Sequence, residues 1–397
     1  MRKPLFLLLF CWYCTTGFLF SQATFVRFRG GTGDEVAKRI LPQSGGGVVM
    51  IGSTTSAGAG DEDYFWEMYN AAYTLTDSFT IGNGGRNTVH DALPLGDDVV
   101  LLGGSKSNLL SAPVVCSAMR INAAGNDVWQ RVYYRYNNAL NTGNLHGGVL
   151  SSDTLFLVGG LRALCNGCTN TDHGIFKVDT ASGGMLGFYA QNFSTDVLYS
   201  VAASRSGNQI YTLGMVWVAP GVSMPQRQIF TVYDRNLNVV RDIEYVGVRA
   251  QESQMHVMPS DSITMLFRRS PPVNNTPVTN FLGRADSLGE PGWACSFAES
   301  TGDEVALLRF VQVADSFYFV GYVDRGTGST LRDAFVMSSD TWGNVGWTRA
   351  YAGAADEQFN DILPAAGGGF LLVGSSASIG GGGDDVLFMR TDAAGQV

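Results

Sequence analysis

The sequence predicts an all-β fold, a seven-bladed β-propeller with four antiparallel strands per blade whose N-terminal strand closes the ring by completing the last blade. Three observations predict it. A motif recurs with a steady period, the composition is that of short strands joined by tight turns, and the two ends of the chain each hold part of one repeat.

The period is set by seven short apolar runs that end in Asp or Asn. They are DYFWEMYN at Asn70, VVCSAMRIN at Asn122, IFKVD at Asp179, IFTVYD at Asp234, VTNFLGRAD at Asp286, DAFVMSSD at Asp340 and DVLFMRTD at Asp392. Their spacings are 52, 57, 55, 52, 54 and 52 residues, and a period that steady marks a repeat architecture. A second marker runs in phase: strands ending in glycine at Gly52, Gly103, Gly159, Gly214, Gly321 and Gly374, with Phe267 in that place in the fifth repeat. Each unit also carries a strand before this one, and a fourth strand after a turn, as in DVWQRVYY after Gly125 and VGWTRAY after Gly343. Asn, Asp and Gly tolerate the positive φ that hairpins require. Four antiparallel strands in about 50 residues make a propeller blade.

Composition agrees. Gly occurs 50 times among 397 residues, well above the average of about 7%, and no amphipathic helix is evident. A β-helix or a pair of β-sandwiches explains these patterns less well, since neither keeps four strands per unit in one phase along the chain.

The ends supply the closure. After Asp392 the seventh unit has no fourth strand, whereas TFVRF (residues 24–28) is a fourth strand with no blade of its own. Pairing the two removes an exposed sheet edge.

The first residues read as a signal peptide over residues 1–22: Arg2 and Lys3, an apolar run, then Ser21 and Gln22. The domain expected is residues 23–397, soluble, exported, monomeric and without a membrane span, since the apolar stretch falls short of the ~20 residues a spanning helix needs. The net charge is -9 with the leader included. With no Lys/Arg cluster, such a chain would repel a phosphate backbone, which argues against nucleic acid as a partner.

The units FRGGTGDEVAKRILPQSGGGVVMIGSTTSAGAGDEDYF and YAGAADEQFNDILPAAGGGFLLVGSSASIGGGGDDVLFMRTDAAGQV resemble the Gly-rich propeller repeats, SBBP-like or kelch-like in general form, of secreted proteins of Bacteroidota. The resemblance is close in the first and last units and looser between them. It implies a propeller and export, at the cell surface or beyond it, rather than a particular activity.

Candidate site residues fall into four groups. Aligning the innermost strands on Pro42, Pro94, Ser151, Ala203, Pro259, Gln312 and Pro364 places Arg39, Asp91, Gly148, Ser200, His256, Arg309 and Asp361 three residues earlier. Opposite charges then alternate between neighbouring blades. This ring is read first as interblade ion pairs and second as a ligand-binding channel. Acidic loops hold Asp34, Asp61, Asp63, Asp384 and Asp385, a possible calcium site because Ca²⁺ takes 6 to 8 oxygen ligands. Solvated turn residues are the plainer reading, so no cofactor is expected. Cys165 and Cys168, with His173 nearby, are read as a local disulfide in preference to a zinc site. Longer loops in blades 3 to 5 carry Trp217, Pro220, Pro225 and Pro271 as a stiff, partly apolar face.

No GxSxG elbow, HExxH helix or Walker loop is present. SSDTWGNVGW faintly resembles the Asp-box turn of sialidase-type propellers, but its glycine is displaced and it is read as a hairpin. The leading functional expectation is therefore a noncatalytic exported propeller that binds a protein or glycan at the cell surface. The alternatives are a polysaccharide hydrolase or lyase using channel residues such as His256, Arg309 and Asp361, and a purely structural surface module.

Overall fold

A computed structural model describes residues 23–82, 84–106, 114–133, 143–162, 171–191, 195–217, 227–245, 250–269, 279–297, 303–324 and 331–397. Among them lie seven four-stranded antiparallel sheets. The innermost strands are Glu35–Pro42, Arg86–Leu95, Gly143–Ser151, Thr195–Ala203, Ala250–Val257, Glu304–Val313 and Glu357–Pro364, for blades 1 to 7. Within the described residues no helix is long and apolar enough to cross a membrane.

The seventh sheet joins both ends of the chain. Phe25–Arg29 pairs antiparallel with Asp385–Thr391, from Phe25 opposite Arg390 to Arg29 opposite Val386. Phe25 packs edge-on against Phe388 at 5.1 Å and tilted against Tyr73 of blade 1 at 6.1 Å. Arg29 pairs with the buried Glu67 of blade 1 and donates to Ser78 Oγ at 2.8 Å. The closing strand is thus tied both to its own blade and to the next.

The apolar residues form seven buried clusters, one at each seam between neighbouring sheets. The second strands are sandwiched on both faces, and Val48–Thr54 is buried throughout. That is why they read as continuous apolar runs rather than as alternating ones.

The Asp and Asn residues that end the third strands fasten the hairpin to the outer strand. Asn70, Asn122, Asp234, Asp286, Asp340 and Asp392 each use Oδ1 to accept two backbone N–H groups, two and four residues on. In blade 3, Asp179 accepts from Ser182 instead.

The glycine marker has a different cause. Every innermost strand contains one β-bulge, and in six blades the glycine pairs with the residue just before it. A Cβ at Gly52, Gly103, Gly159, Gly214, Gly321 or Gly374 would lie 1.8–2.4 Å from an inner-strand carbonyl oxygen, so no side chain fits. Blade 5 has Phe267 there, and its bulge sits one residue earlier, with Phe267 opposite Ser253.

Candidate functional site

The bulges determine what the channel wall displays. In a regular strand successive side chains point to opposite faces, but a bulge adds a residue and lets two consecutive side chains share one face. Six blades therefore give the channel the bulge-position residue and the residue after it, and blade 5, whose bulge lies one residue earlier, gives it the next two residues, Ser253 and Gln254. The first ring is Lys38, His90, His146, Tyr199, Ser253, Leu308 and Asn360. The second is Arg39, Asp91, Gly147, Ser200, Gln254, Arg309 and Asp361. All of these except Asp361 line one cavity of 480 Å³.

The second ring is a chain of hydrogen bonds from blade to blade. Asp361 accepts from Ile40 N–H at 2.9 Å, Ser200 from Met255 N–H at 3.1 Å, and Gln254 from Phe310 N–H at 2.7 Å. Asp91 accepts from Gly148 N–H in the same way. Arginine cannot accept, and it occupies this position in blades 1 and 6. There the next blade's N–H, Ala92 or Ile362, is taken by the carboxylate of its own blade, Asp91 or Asp361.

The two arginines form a four-charge cluster with those carboxylates. Arg39 lies 3.2 Å from Asp91 and 3.4 Å from Asp361, and Arg309 lies 3.4 Å from Asp91 and 3.6 Å from Asp361. Arg309 thus spans from blade 6 to blade 2 across the channel. Burial pushes the Asp91 carboxyl up to about 6 against the opposing pull of Arg39, and raises that of Asp361 for the same reason.

In the first ring, the His90 and His146 rings stand 5.0 Å apart and His146 lies 5.5 Å from Tyr199. Both histidines are half-buried. Burial, with Lys38 acting further on His90, lowers His90 to about 4, while burial and His90 lower His146 to about 3. Both imidazoles are therefore neutral at ordinary pH. On the far side, Asn360 Nδ2 donates to Ala37 O at 2.8 Å across the closure seam.

The structure brings Arg39, Asp91, Ser200, Arg309 and Asp361 together as the sequence placed them, and corrects two members of that ring. In blade 3 Gly147 takes the equivalent strand position, with Gly148 beside it on the cavity wall, and blade 5 contributes Gln254 rather than His256. The reason is hairpin length. Ser151 pairs with Thr154 across a tight turn, and Pro259 lies within the turn that Met258 N–H closes onto Ser262 O, so neither residue marks the strand position that Pro42 marks. His256 packs 6.3 Å from Phe310 and does not line the cavity.

The first ring was missed altogether, although a signal for it exists. Val36-Ala37-Lys38-Arg39-Ile40-Leu41 breaks the apolar alternation with two adjacent polar residues, and so do His90-Asp91 and Asn360-Asp361.

The acidic residues Asp34, Asp61, Asp63, Asp384 and Asp385 are divided between two seams. Asp63, between blades 1 and 2, accepts from the Ala59 and Gly60 N–H groups at 2.6 and 3.1 Å and from Asn87 at 3.3 Å. Asp61 neighbours it in the same exposed turn. Asp34 Oδ1 accepts from Asp384 N–H at 3.0 Å at the seam of blades 7 and 1, where Asp385 is buried. Among the described residues no group of three or more His, Cys, Asp or Glu is arranged to hold a metal ion. Cys165, Cys168, Pro220, Pro225, Pro271 and the side chain of Trp217 lie outside the described residues. Cys116 is a buried free thiol, raised to about 12 by burial, and Cys295 is free and half-buried.

No family model and no curated protein matches the chain. Solved structures do, among them a β-1,3-galactosidase of glycoside hydrolase family 43 with galactodeoxynojirimycin bound, at 10% sequence identity and a TM-score of 0.38, covering 62% of this chain and 89% of that one. A likeness at that level carries nothing about chemistry.

Proposed function

We propose that this protein is an exported, noncatalytic propeller that binds the end of a glycan in its central channel. The observation that carries the reading is the 480 Å³ cavity itself, walled by every blade. That volume lies in the range of small-molecule sites, about 300–1,000 Å³, so it suits one or two sugar rings better than the face of a folded partner. His90, His146 and Tyr199 offer flat ring surfaces, and Ser253, Gln254 and Asn360 offer hydrogen-bonding groups. Export rests on the leader-like residues 1–22.

The hydrolase reading has less support. Glycoside hydrolysis needs one carboxyl to give a proton and the other to attack or activate water. Here Asp91 and Asp361 are both held by Arg39 and Arg309, and both accept backbone N–H groups.

A glycan array probed with the purified chain tests the proposal. Tyr199→Ala and His146→Ala should each weaken the retained glycan by about tenfold, roughly 1.4 kcal/mol, without shifting the unfolding midpoint. Unchanged binding in both variants would move the ligand elsewhere, and turnover abolished by Asp361→Asn would favour the enzyme.

A further inference from the structure

The closure seam repeats a device of the neighbouring seam with its donors removed. Between blades 1 and 2, the Asp63 carboxylate lies against the backbone of Gly58 and Gly82, where an added Cβ would sit 1.8 Å from Oδ2 and 1.6 Å from Oδ1. Three donors satisfy it there: the Ala59 and Gly60 N–H groups and the Asn87 side chain. Between blades 7 and 1, Asp385 lies the same way against Gly380 and Gly30, 1.2 and 1.1 Å from the corresponding Cβ positions. It is 1% exposed, and no described residue donates to either of its oxygens.

Where Asp63 meets an amide, Asp385 meets an acid. Asn87 N–H donates to Glu62 O at 2.7 Å and Glu35 N–H donates to Asp384 O at 2.6 Å, so Glu35 holds in blade 1 the place of Asn87 in blade 2. Glu35 is itself buried, and its oxygens accept from Thr54 Oγ1 at 2.8 Å and from Gly31 N–H. An ionised carboxylate has only acceptors, so Glu35 supplies no donor. A buried charge left without one is costly enough that the group takes up a proton instead.

We infer that Asp385 keeps its proton above the pH at which a solvated carboxyl gives it up, and that its ionisation unlatches the N-terminal strand from blade 7. The proton turns one Asp385 oxygen into the donor that the pocket lacks. Gly30 directly follows the closing strand Phe25–Arg29, so lifting that strand takes a wall off the carboxyl and admits water. The ionised form therefore favours the open strand and the protonated form the closed one. The latch is independent of what the channel holds.

The surrounding charges act in the same direction. Burial raises the Asp385 carboxyl, and Glu35 and Asp384 push it further. Burial, Asp34 and Asp356 raise Asp384, with Lys38 opposing them. On the closing strand, Arg29 is committed to Glu67 and Arg27 to Tyr73 O. Within blade 7, Glu357 lies in the same row, opposite Ser376, which is opposite Asp385. With the closed-strand value above the ordinary 3.8, the latch is fully present below 3.8 and is lost as pH rises through the raised value.

Amide exchange of residues 25–29 in the full chain from pH 4 to 8, corrected for the intrinsic rates, tests this. Protection should fall as pH rises, by up to about tenfold per pH unit, and level off above the raised value. Asp385→Asn cannot ionise and can donate to Glu35, so it should remove that fall. The side-chain carboxyl ¹³C signal of Asp385 in the wild-type protein needs no variant and should titrate with a midpoint above 3.8. A midpoint at or below 3.8, protection that does not fall with pH, or a fall as steep in Asp385→Asn overturns the inference.

Discussion

Replacing Gly374 with alanine should destabilise the protein, because the glycine makes room for the bulge that presents Asn360 and Asp361. The added Cβ would lie 1.9 Å from Gln358 O and 2.8 Å from both Gln358 C and Phe359 Cα, where ordinary contact is 3.4–4 Å. The opposing atoms are backbone, in a strand hydrogen-bonded within the sheet, and cannot rotate away. Overpacking of this kind costs about 1–3 kcal/mol, and backbone resistance puts it at the upper end. The entropy gained by removing a glycine from the unfolded chain offsets about 0.4–1 kcal/mol, which leaves a net loss of about 2 kcal/mol. Gly283→Ala is the control, since its Cβ meets nothing closer than 3.7 Å and should be neutral or slightly stabilising. Urea unfolding followed by tryptophan fluorescence compares the two. The bulge in Gly374→Ala could also slip by one residue, as beside Phe267, which would pull Asp361 away from Ile40 N–H and show as faster amide exchange at Ile40. A Gly374→Ala midpoint equal to wild type, or a Gly283→Ala loss as large, would refute the reasoning.

Two further outcomes follow from the closure seam and the histidines. Deleting residues 23–29 removes the partner of Asp385–Thr391 and its anchors at Glu67 and Tyr73, so sedimentation should show association through the exposed edge, and a fully folded monomer would mean that the ring does not need the strand. His146, lowered to about 3 from 6.5, favours the folded state fully above pH 6.5 and loses that contribution as pH falls towards 3. Unfolding measured from pH 7 to 4 should therefore show His146→Phe gaining on wild type by up to about 1.4 kcal/mol per pH unit, and parallel pH profiles would count against a buried neutral imidazole.

The repeat was legible because both of its markers are physical devices. Asp and Asn at the third-strand ends tie down hairpins, and the glycines face bulge carbonyls, so each recurs wherever its device recurs. The closing strand was legible because TFVRF has the pattern of an outer strand and lacks the other three. The channel rings were only half legible. Prolines were matched as though they fixed the register, but a strand's register follows its hydrogen bonds, and the shorter hairpin of blade 3 and the turn holding Pro259 shifted Gly148 and His256 out of the ring. The bulge residues Lys38, His90, His146 and Tyr199 escaped because a strict two-residue alternation assigns only one of each adjacent polar pair to the channel.

The charged cluster and the first ring are adjacent residues of the same strands, which makes them separable by mutation. Arg39→Leu leaves Asp91 and Asp361 buried with Arg309 alone, and breaking such an arrangement costs about 3–5 kcal/mol. The cost should depend on pH in a definite direction. Asp91 already has its folded value raised to about 6, so a carboxylate there opposes folding above that pH. Losing Arg39 raises it further, so the penalty should be largest at high pH and shrink as pH falls to about 6, below which the carboxyl is protonated in both folded proteins. Neutralising the whole cluster, as Arg39→Met, Asp91→Asn, Arg309→Met and Asp361→Asn together, leaves amide oxygens to accept from Ile40 and Gly148 N–H and strands no charge. That fourfold variant should be more stable at pH 8 than Arg39→Leu alone. Chemical unfolding at pH 5 and pH 8 decides it. A penalty independent of pH, or a fourfold variant less stable than the single one, would mean that the cluster does more than bolt neighbouring blades together.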